Sequence, residues 1–264
     1  MMNTRTLLRL WSVGALLFFI LITAFLPPNA LRAFDWIGYA VCHRIPERSF
    51  FIAGRQMPVC ARDTGMFTGV LLGSIWLAIS LRRRAAYYPS GRWFLIFAAF
   101  FAAWGFDGFN SYMLLLRGDI FIYEPQNWLR LTTGALMGIT LSAFAAALFN
   151  QGLWKDAVDE PTVHSWREML GLITCAALTI GLVLWHPDWL LNPLAATSAA
   201  GVVLMLMLVN AILILMMRNK HGQLQRLQEF APYAALGIVL AVAELSAVAA
   251  LRAWALPIAI GSAP

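Results

Sequence analysis

Long uninterrupted apolar runs separated by short charged segments dominate this chain, and they leave it few structures to adopt. Within a bilayer every backbone N–H and C=O must be satisfied by the protein itself, so a spanning segment is a helix or a strand of a closed barrel. The runs here are continuous rather than alternating in polarity, which selects helices. Composition agrees: 61% of the 264 residues are hydrophobic, 12% are charged and the mean hydropathy is +0.71. A soluble domain carries about 25% charged residues. The expected fold class is therefore all-α, a polytopic transmembrane bundle. The net charge of +6 does not mark a nucleic-acid binder, because the Lys and Arg residues lie mostly between apolar runs, where orienting and interfacial residues belong. The chain has no basic tail, low-complexity segment or recognisable internal repeat.

A membrane helix needs roughly 20 mostly apolar residues, and seven such spans are expected. They run from about Leu8 to Leu26, Thr64 to Leu81, Trp93 to Leu115, Leu129 to Phe149, Met169 to Trp185, Leu194 to Met217 and Tyr233 to Trp254. Pro27-Pro28 stops the first, and Arg82-Arg83-Arg84 stops the second. Arg5 and Arg9 precede the first apolar core as they would in a signal peptide. That core is long and Pro-Asn-Ala is a poor cleavage context, so a retained helix is the reading adopted. The segment LQRLQEF before the seventh span reads as a short amphipathic surface helix.

Orientation follows from the Lys/Arg distribution over alternating loops. With the N-terminus inside, Arg5, Arg9, the Arg82–Arg84 run and Arg92 fall on the inner side, while Arg44, Arg48, Arg55 and Arg62 fall outside. The inner excess is narrow, and it becomes clear once those four outer arginines are set aside. The expected location is the cell membrane, with a cytoplasmic N-terminus and the segment before the second span outside.

That segment, VCHRIPERSFFIAGRQMPVCARDTG, is the part of the chain that looks built for chemistry. Cys42, His43, Cys60 and Asp63 are the expected metal ligands, and zinc or another divalent ion takes such donors in tetrahedral sets of four. Cys60 and Asp63, spaced i, i+3, can share a side at a helix start. Cys42 and His43 are adjacent and diverge in regular structure, so both reach one ion only on an irregular loop, which Pro46, Gly54 and Pro58 favour. Competing readings are a Cys42–Cys60 disulfide, an Asp63-Thr64 helix cap and arginines that serve as interfacial anchors beside Trp36 and Tyr39. Cys175, inside an apolar run, reads as inert.

Scattered polar groups should gather at the same end of the bundle. Asp107 lies in the half of the third span nearest that end, with Asn110 beyond it. Asn127 and Arg130 open the fourth span, and Glu244 and Arg252 lie towards the end of the seventh. An aspartate at bilayer depth is costly unless paired or wet. Asp107 is therefore either a functional carboxylate or a strut paired with Arg130. Glu244 is a proton carrier or a carboxyl hydrogen-bonded to a neighbouring helix. Gly65, Gly69 and Gly73 would let the second span approach a neighbour closely. His164, His186 and His221 sit apart in loops and read as solvated, and Trp185 and Trp189 read as an interfacial turn. Walker, dinucleotide, G-x-S-x-G and H-E-x-x-H motifs are absent.

Cys42-His43, Pro46, Arg48-Ser49-Phe50, Gly54, Pro58-Val59-Cys60-Ala61-Arg62, Thr64-Gly65 and Gly69 resemble the signature of a family of prokaryotic membrane proteins classed as a domain of unknown function. The likeness continues through Asp107-Gly108, Asn127, Arg130, Thr133-Gly134 and Gly138, and covers roughly residues 35 to 150. Members of that family usually carry a second cysteine where this chain has Asp63. The resemblance implies a membrane location but no reaction. It divides the chain into a family-like membrane domain, 1–150, and a three-helix extension, 151–264.

The leading functional expectation is a metal-binding polar site near the outer face, with metal-assisted chemistry on an anionic or lipid-linked substrate. Arg48, Arg62, Asp107, Asn127 and Arg130 would support the metal ligands or contact the substrate. The expected partners are the bilayer and an anionic lipid or small anion. The alternatives are a proton- or ion-coupled transporter and a non-catalytic subunit or assembly factor of a membrane complex.

Overall fold

A computed structural model describes residues 31–79 and 84–255, so the first expected span lies outside the described residues. Among these residues are α1 (Leu31–Val41), α2 (Ala61–Ile79), α3 (Arg92–Arg117), α4 (Asn127–Leu153), α5 (Trp166–Trp185), α6 (Leu191–Met217) and α7 (Leu227–Ala255). The protein is an all-α helical bundle. Helices α3, α4, α5 and α7, and α6 together with the turn that leads into it from Asp188, are long and apolar enough to cross a membrane. Each ends within a few residues of the expected span, while α7 and the α6 span begin six residues before theirs.

The second expected span forms α2. It packs against α4 most extensively, and also against α5 and α6, so much of its surface meets protein rather than lipid. Small residues make the α2–α4 approach possible. A Cβ added at Gly65 would strike the Leu131 carbonyl, one at Gly134 the Arg62 carbonyl, and one at Gly138 the Met66 carbonyl. The small-residue spacing expected to seat α2 on a neighbour thus meets a matching pair of glycines on α4. On another side of α2, Gly201 of α6 lies directly against the Phe67 carbonyl.

Two features depart from the sequence reading. Helix α1 was not expected, and it buries Leu31, Gly38 and Ala40 while packing on α6 and α7. The segment LQRLQEF is no separate surface helix, because its second half is the first turn of α7. Leu224 and Phe230 are buried in a cluster with Leu153 and Trp154, and Phe149 meets Phe230 edge-on at 5.1 Å. Two of the segment's three apolar side chains are therefore taken up by the bundle, while Leu227 stays exposed.

The connection from α1 to α2 is short and heavily tied. It contains a 3₁₀ turn, Pro46–Arg48, and a hairpin of β1 (Phe51–Ile52) and β2 (Arg55–Gln56). Ala53 and Gly54 form the hairpin turn, with φ of 50° and 73°. Two successive positive φ angles are what a two-residue hairpin loop requires, and Asn-Gly is the preferred pair. Alanine is strained in this region by about 1–2 kcal/mol. Ala53→Asn should therefore stabilise the hairpin by about 0.5–1 kcal/mol, measurable as a raised unfolding midpoint in detergent. An unchanged or lowered midpoint would refute this account of the turn. At the opposite end of α2, β3 (Ala85–Tyr87) pairs in parallel with β4 (Val158–Pro161), and the Asn150 side-chain amide donates to the Ala85 carbonyl at 2.8 Å.

Candidate functional site

The hairpin connection lies across the starts of α2 and α4 and the last turns of α3, and this arrangement builds the site. Asp35 on α1 accepts hydrogen bonds from Arg44 at 2.9 Å and Arg55 at 2.5 Å, tying both limbs of the connection to one helix. The Gln56 amide donates to the Arg44 carbonyl at 2.8 Å and to Ser49 Oγ at 2.9 Å. Asn127, at the first position of α4, donates to the Glu47 carbonyl at 3.1 Å and so fixes the 3₁₀ turn to the bundle. From the far end of the chain, Arg252 Nη1 donates to the carbonyls of Tyr39 and Cys42 at 2.6 Å each.

This scaffold brings Cys42, Cys60 and Asp63 together, with their potential ligand atoms all within 4.8 Å of one another. The Cys60 backbone N–H donates to Cys42 Sγ at 3.2 Å, and the Cys60 thiol donates to Asp63 Oδ2 at 3.2 Å. Asp63 is thereby engaged with Cys60 instead of acting as a helix cap. Cys42, Cys60 and Cys175 are all free thiols, so the disulfide is not formed. The two thiols of the site differ sharply. The hydrogen bond between them lowers Cys42 and raises Cys60, and burial and the adjacent Asp63 carboxylate raise Cys60 further. Of the two, Cys42 is the thiol whose pKa is lowered. His43 is exposed on the rim and outside the cluster, because consecutive side chains diverge even on this irregular stretch.

Beside the three donors is a cavity of about 200 Å³ whose wall includes His43, Arg48, Arg62, Ser111 and Arg130. Asp107 is 2% exposed and ion-paired with Arg62, which also reaches it through Nε at 3.1 Å. The strut expected between Asp107 and Arg130 is thus made by Arg62 instead. Arg62, expected to be available for an anion, is held by this carboxylate, its long side chain reaching across from α2 to α3. The second oxygen of Asp107 accepts from the Tyr123 hydroxyl at 2.7 Å. Burial, followed by this bond, pushes the Tyr123 phenol up to about 12. Asn110 accepts from the Ile122 N–H and donates to the Tyr123 carbonyl, at 3.1 and 2.8 Å, which secures the loop between α3 and α4.

Arg130, only 5% exposed, donates to Asn127 Oδ1 at 2.9 Å and Ser111 Oγ at 3.4 Å. Of the groups expected to gather, Glu244 alone lies apart. It is exposed on α7 and accepts from Asn210 of α6 at 3.1 Å, the neighbouring-helix bond that was one of its two readings.

Residues 42–144 match the model of a family described as "Predicted membrane protein (DUF2085)". An uncharacterized protein of Methanocaldococcus jannaschii is 35% identical over 115 residues, which is 44% of this chain and 67% of that one. An uncharacterized protein of Methanothermobacter thermautotrophicus is 30% identical over 108 residues, 41% of this chain and 86% of that one. The chain belongs to this family. No solved structure matches it. The family segment contains the whole Cys42–Cys60–Asp63 cluster and the α2–α4 glycine contact, so the matched residues make the site and the packing beneath it. The protein is a polytopic membrane protein of this family.

Sequence reasoning missed Ser111, Tyr123 and Asp35. Ser111 was within reach, since it lies four residues after Asp107 in a helix and so shares its face. Tyr123 and the Asp35 pairings depend on how loops fold back, which no local pattern encodes.

Proposed function

We propose that this protein binds a divalent, zinc-type ion through Cys42, Cys60 and Asp63 and uses it for metal-assisted chemistry on an anionic substrate. The mutual approach of those three donors carries the reading. Donors around one tetrahedral zinc stand roughly 3.3–3.8 Å apart, given metal–ligand bonds of about 2.0–2.3 Å. The observed limit of 4.8 Å needs only a small contraction. Three protein donors and a vacant fourth position are typical of catalytic rather than structural zinc. The fourth position would face the cavity, where water or substrate enters, and His43 would occupy it only by swinging inward from the rim. An ion held there by Cys42, Cys60 and Asp63 would supply Lewis acidity. Asp63 in place of a family cysteine makes the donor set harder, which suits a turning-over site better than a closed thiolate cage. The site is assigned to the outer face of the cell membrane, with the N-terminus cytoplasmic, in accord with the Lys/Arg distribution.

Elemental analysis of the purified full chain tests this directly. About one divalent ion per chain is expected, falling close to zero in Cys60→Ser and retained in Cys175→Ser. Asp63→Cys, which restores the family pattern, should hold the ion more tightly against a chelator. Absence of stoichiometric metal together with blocked thiols at Cys42 and Cys60 would sink the metal reading and favour the disulfide.

A further inference from the structure

Three guanidinium groups converge on one serine beside the metal donors. Arg48 Nη2 donates to the Ser111 carbonyl at 3.3 Å, Arg62 Nη2 to Ser111 Oγ at 3.1 Å and Arg130 Nε to the same Oγ at 3.4 Å. They come from different elements, namely the 3₁₀ turn, α2 and α4, and so approach the serine from different directions. Their charges are unequally compensated. Arg62 is paired with Asp107, and Arg44, also on the cavity wall, is paired with Asp35. Neither Arg48 nor Arg130 has a carboxylate within salt-bridge distance among the described residues. A guanidinium as enclosed as Arg130, held only by neutral groups, lacks the counter-charge that buried charges ordinarily find.

We propose that Arg48 and Arg130, with Ser111 between them, form the seat for a phosphoryl group, the anionic part of the substrate handled at the neighbouring metal site. This rests on the cavity being a binding site, as proposed above, and names the group it takes. Guanidinium forks match phosphate oxygens in pairs. Forks arriving from separate elements suit a tetrahedral group with several equivalent oxygens better than a planar carboxylate. The volume of about 200 Å³ is below the roughly 300–1,000 Å³ of sites for drug-sized ligands, as fits a headgroup or a free ion. Trp128, two residues before Arg130, is 53% exposed, and Trp36 of α1 is 37% exposed. Such aromatic side chains belong at headgroup depth, so the phosphoryl group can arrive on a lipid or from solution.

Equilibrium dialysis of the full chain in nonionic detergent against radiolabelled orthophosphate tests the seat. One saturable site per chain is expected, weakened at least about tenfold in Arg48→Gln and in Arg130→Lys, the latter keeping its charge but losing the fork. It should be unchanged in Arg117→Gln, whose guanidinium stacks on Phe121 away from the cavity. Repeating the measurement in nanodiscs separates the sources. If phosphatidic acid mixed into phosphatidylcholine displaces orthophosphate, a lipid headgroup is the occupant; if it does not, the occupant is a soluble phosphate. Cys60→Ser separates this proposal from the metal reading. Phosphate binding that persists there without metal supports an arginine seat that stands alone. Binding lost in Cys60→Ser but intact in both arginine variants would place the anion on the metal and overturn the seat. No orthophosphate binding in folded protein, with phosphatidic acid retained equally by wild type and variants, would overturn it as well.

Discussion

Asp107→Asn should destabilise the protein by about 3–5 kcal/mol, the usual consequence of removing one partner of a buried ion pair. The carboxylate holds Arg62 with one oxygen and the Tyr123 hydroxyl with the other, so an amide leaves a guanidinium enclosed without its counter-charge. Tyr123, which ties the loop between α3 and α4 to this carboxylate, also loses its charged acceptor. Unfolding by denaturing detergent, followed by tryptophan fluorescence, would register the loss. The double variant Arg62→Met/Asp107→Leu should recover much of it, because apolar replacement of both partners is often near neutral. A single variant as stable as wild type would show that the pair is wet and inconsequential. Recovery in the double variant also separates a structural carboxylate from a proton carrier, since a carrier's function would stay lost.

The second large effect is expected where α2 crosses α4. Gly65→Ala, Gly134→Ala and Gly138→Ala each place a methyl group against backbone carbonyl oxygen rather than a flexible side chain. The helices must separate to admit it, at a cost of about 1–3 kcal/mol or more for each substitution. Gly105→Ala on α3 and Gly181→Ala on α5, where nothing lies within 4 Å of the added carbon, should instead gain about 0.5–1 kcal/mol from helix propensity. Opposite signs for one chemical change within one bundle would be hard to obtain from any cause but proximity. If all five variants moved together, close approach would not be what sets α2 in place.

The sequence disclosed the helices well because a bilayer makes apolar length almost sufficient to define them. It also placed Cys60, Asp63, Asp107, Asn127 and Arg130 at one end, since spans of alternating direction leave only two ends to choose between. Partner choice was not legible. Arg62 and Arg130 are both positive and both near Asp107, and only the close α2–α4 approach, which turns the Arg62 side of α2 toward α3, decides between them. Helix α1 escaped notice because it is too short to read as a span and part of its burial comes from α6 and α7, more than a hundred residues away in the chain. His43 illustrates the converse. Its residue type suggested a ligand, but the backbone direction beside Cys42 turns it to the rim.

The two hydrogen bonds from Arg252 bear on how far the protein can be divided. Resemblance to the family ends near residue 144, yet Arg252 holds the carbonyl of Cys42 itself and Gly201 seats α6 on the backbone of α2. Evolutionary modularity and mechanical modularity therefore do not coincide here. A chain cut after α4 would retain every residue of the signature, while the backbone that aims its first cysteine would lose its outside brace.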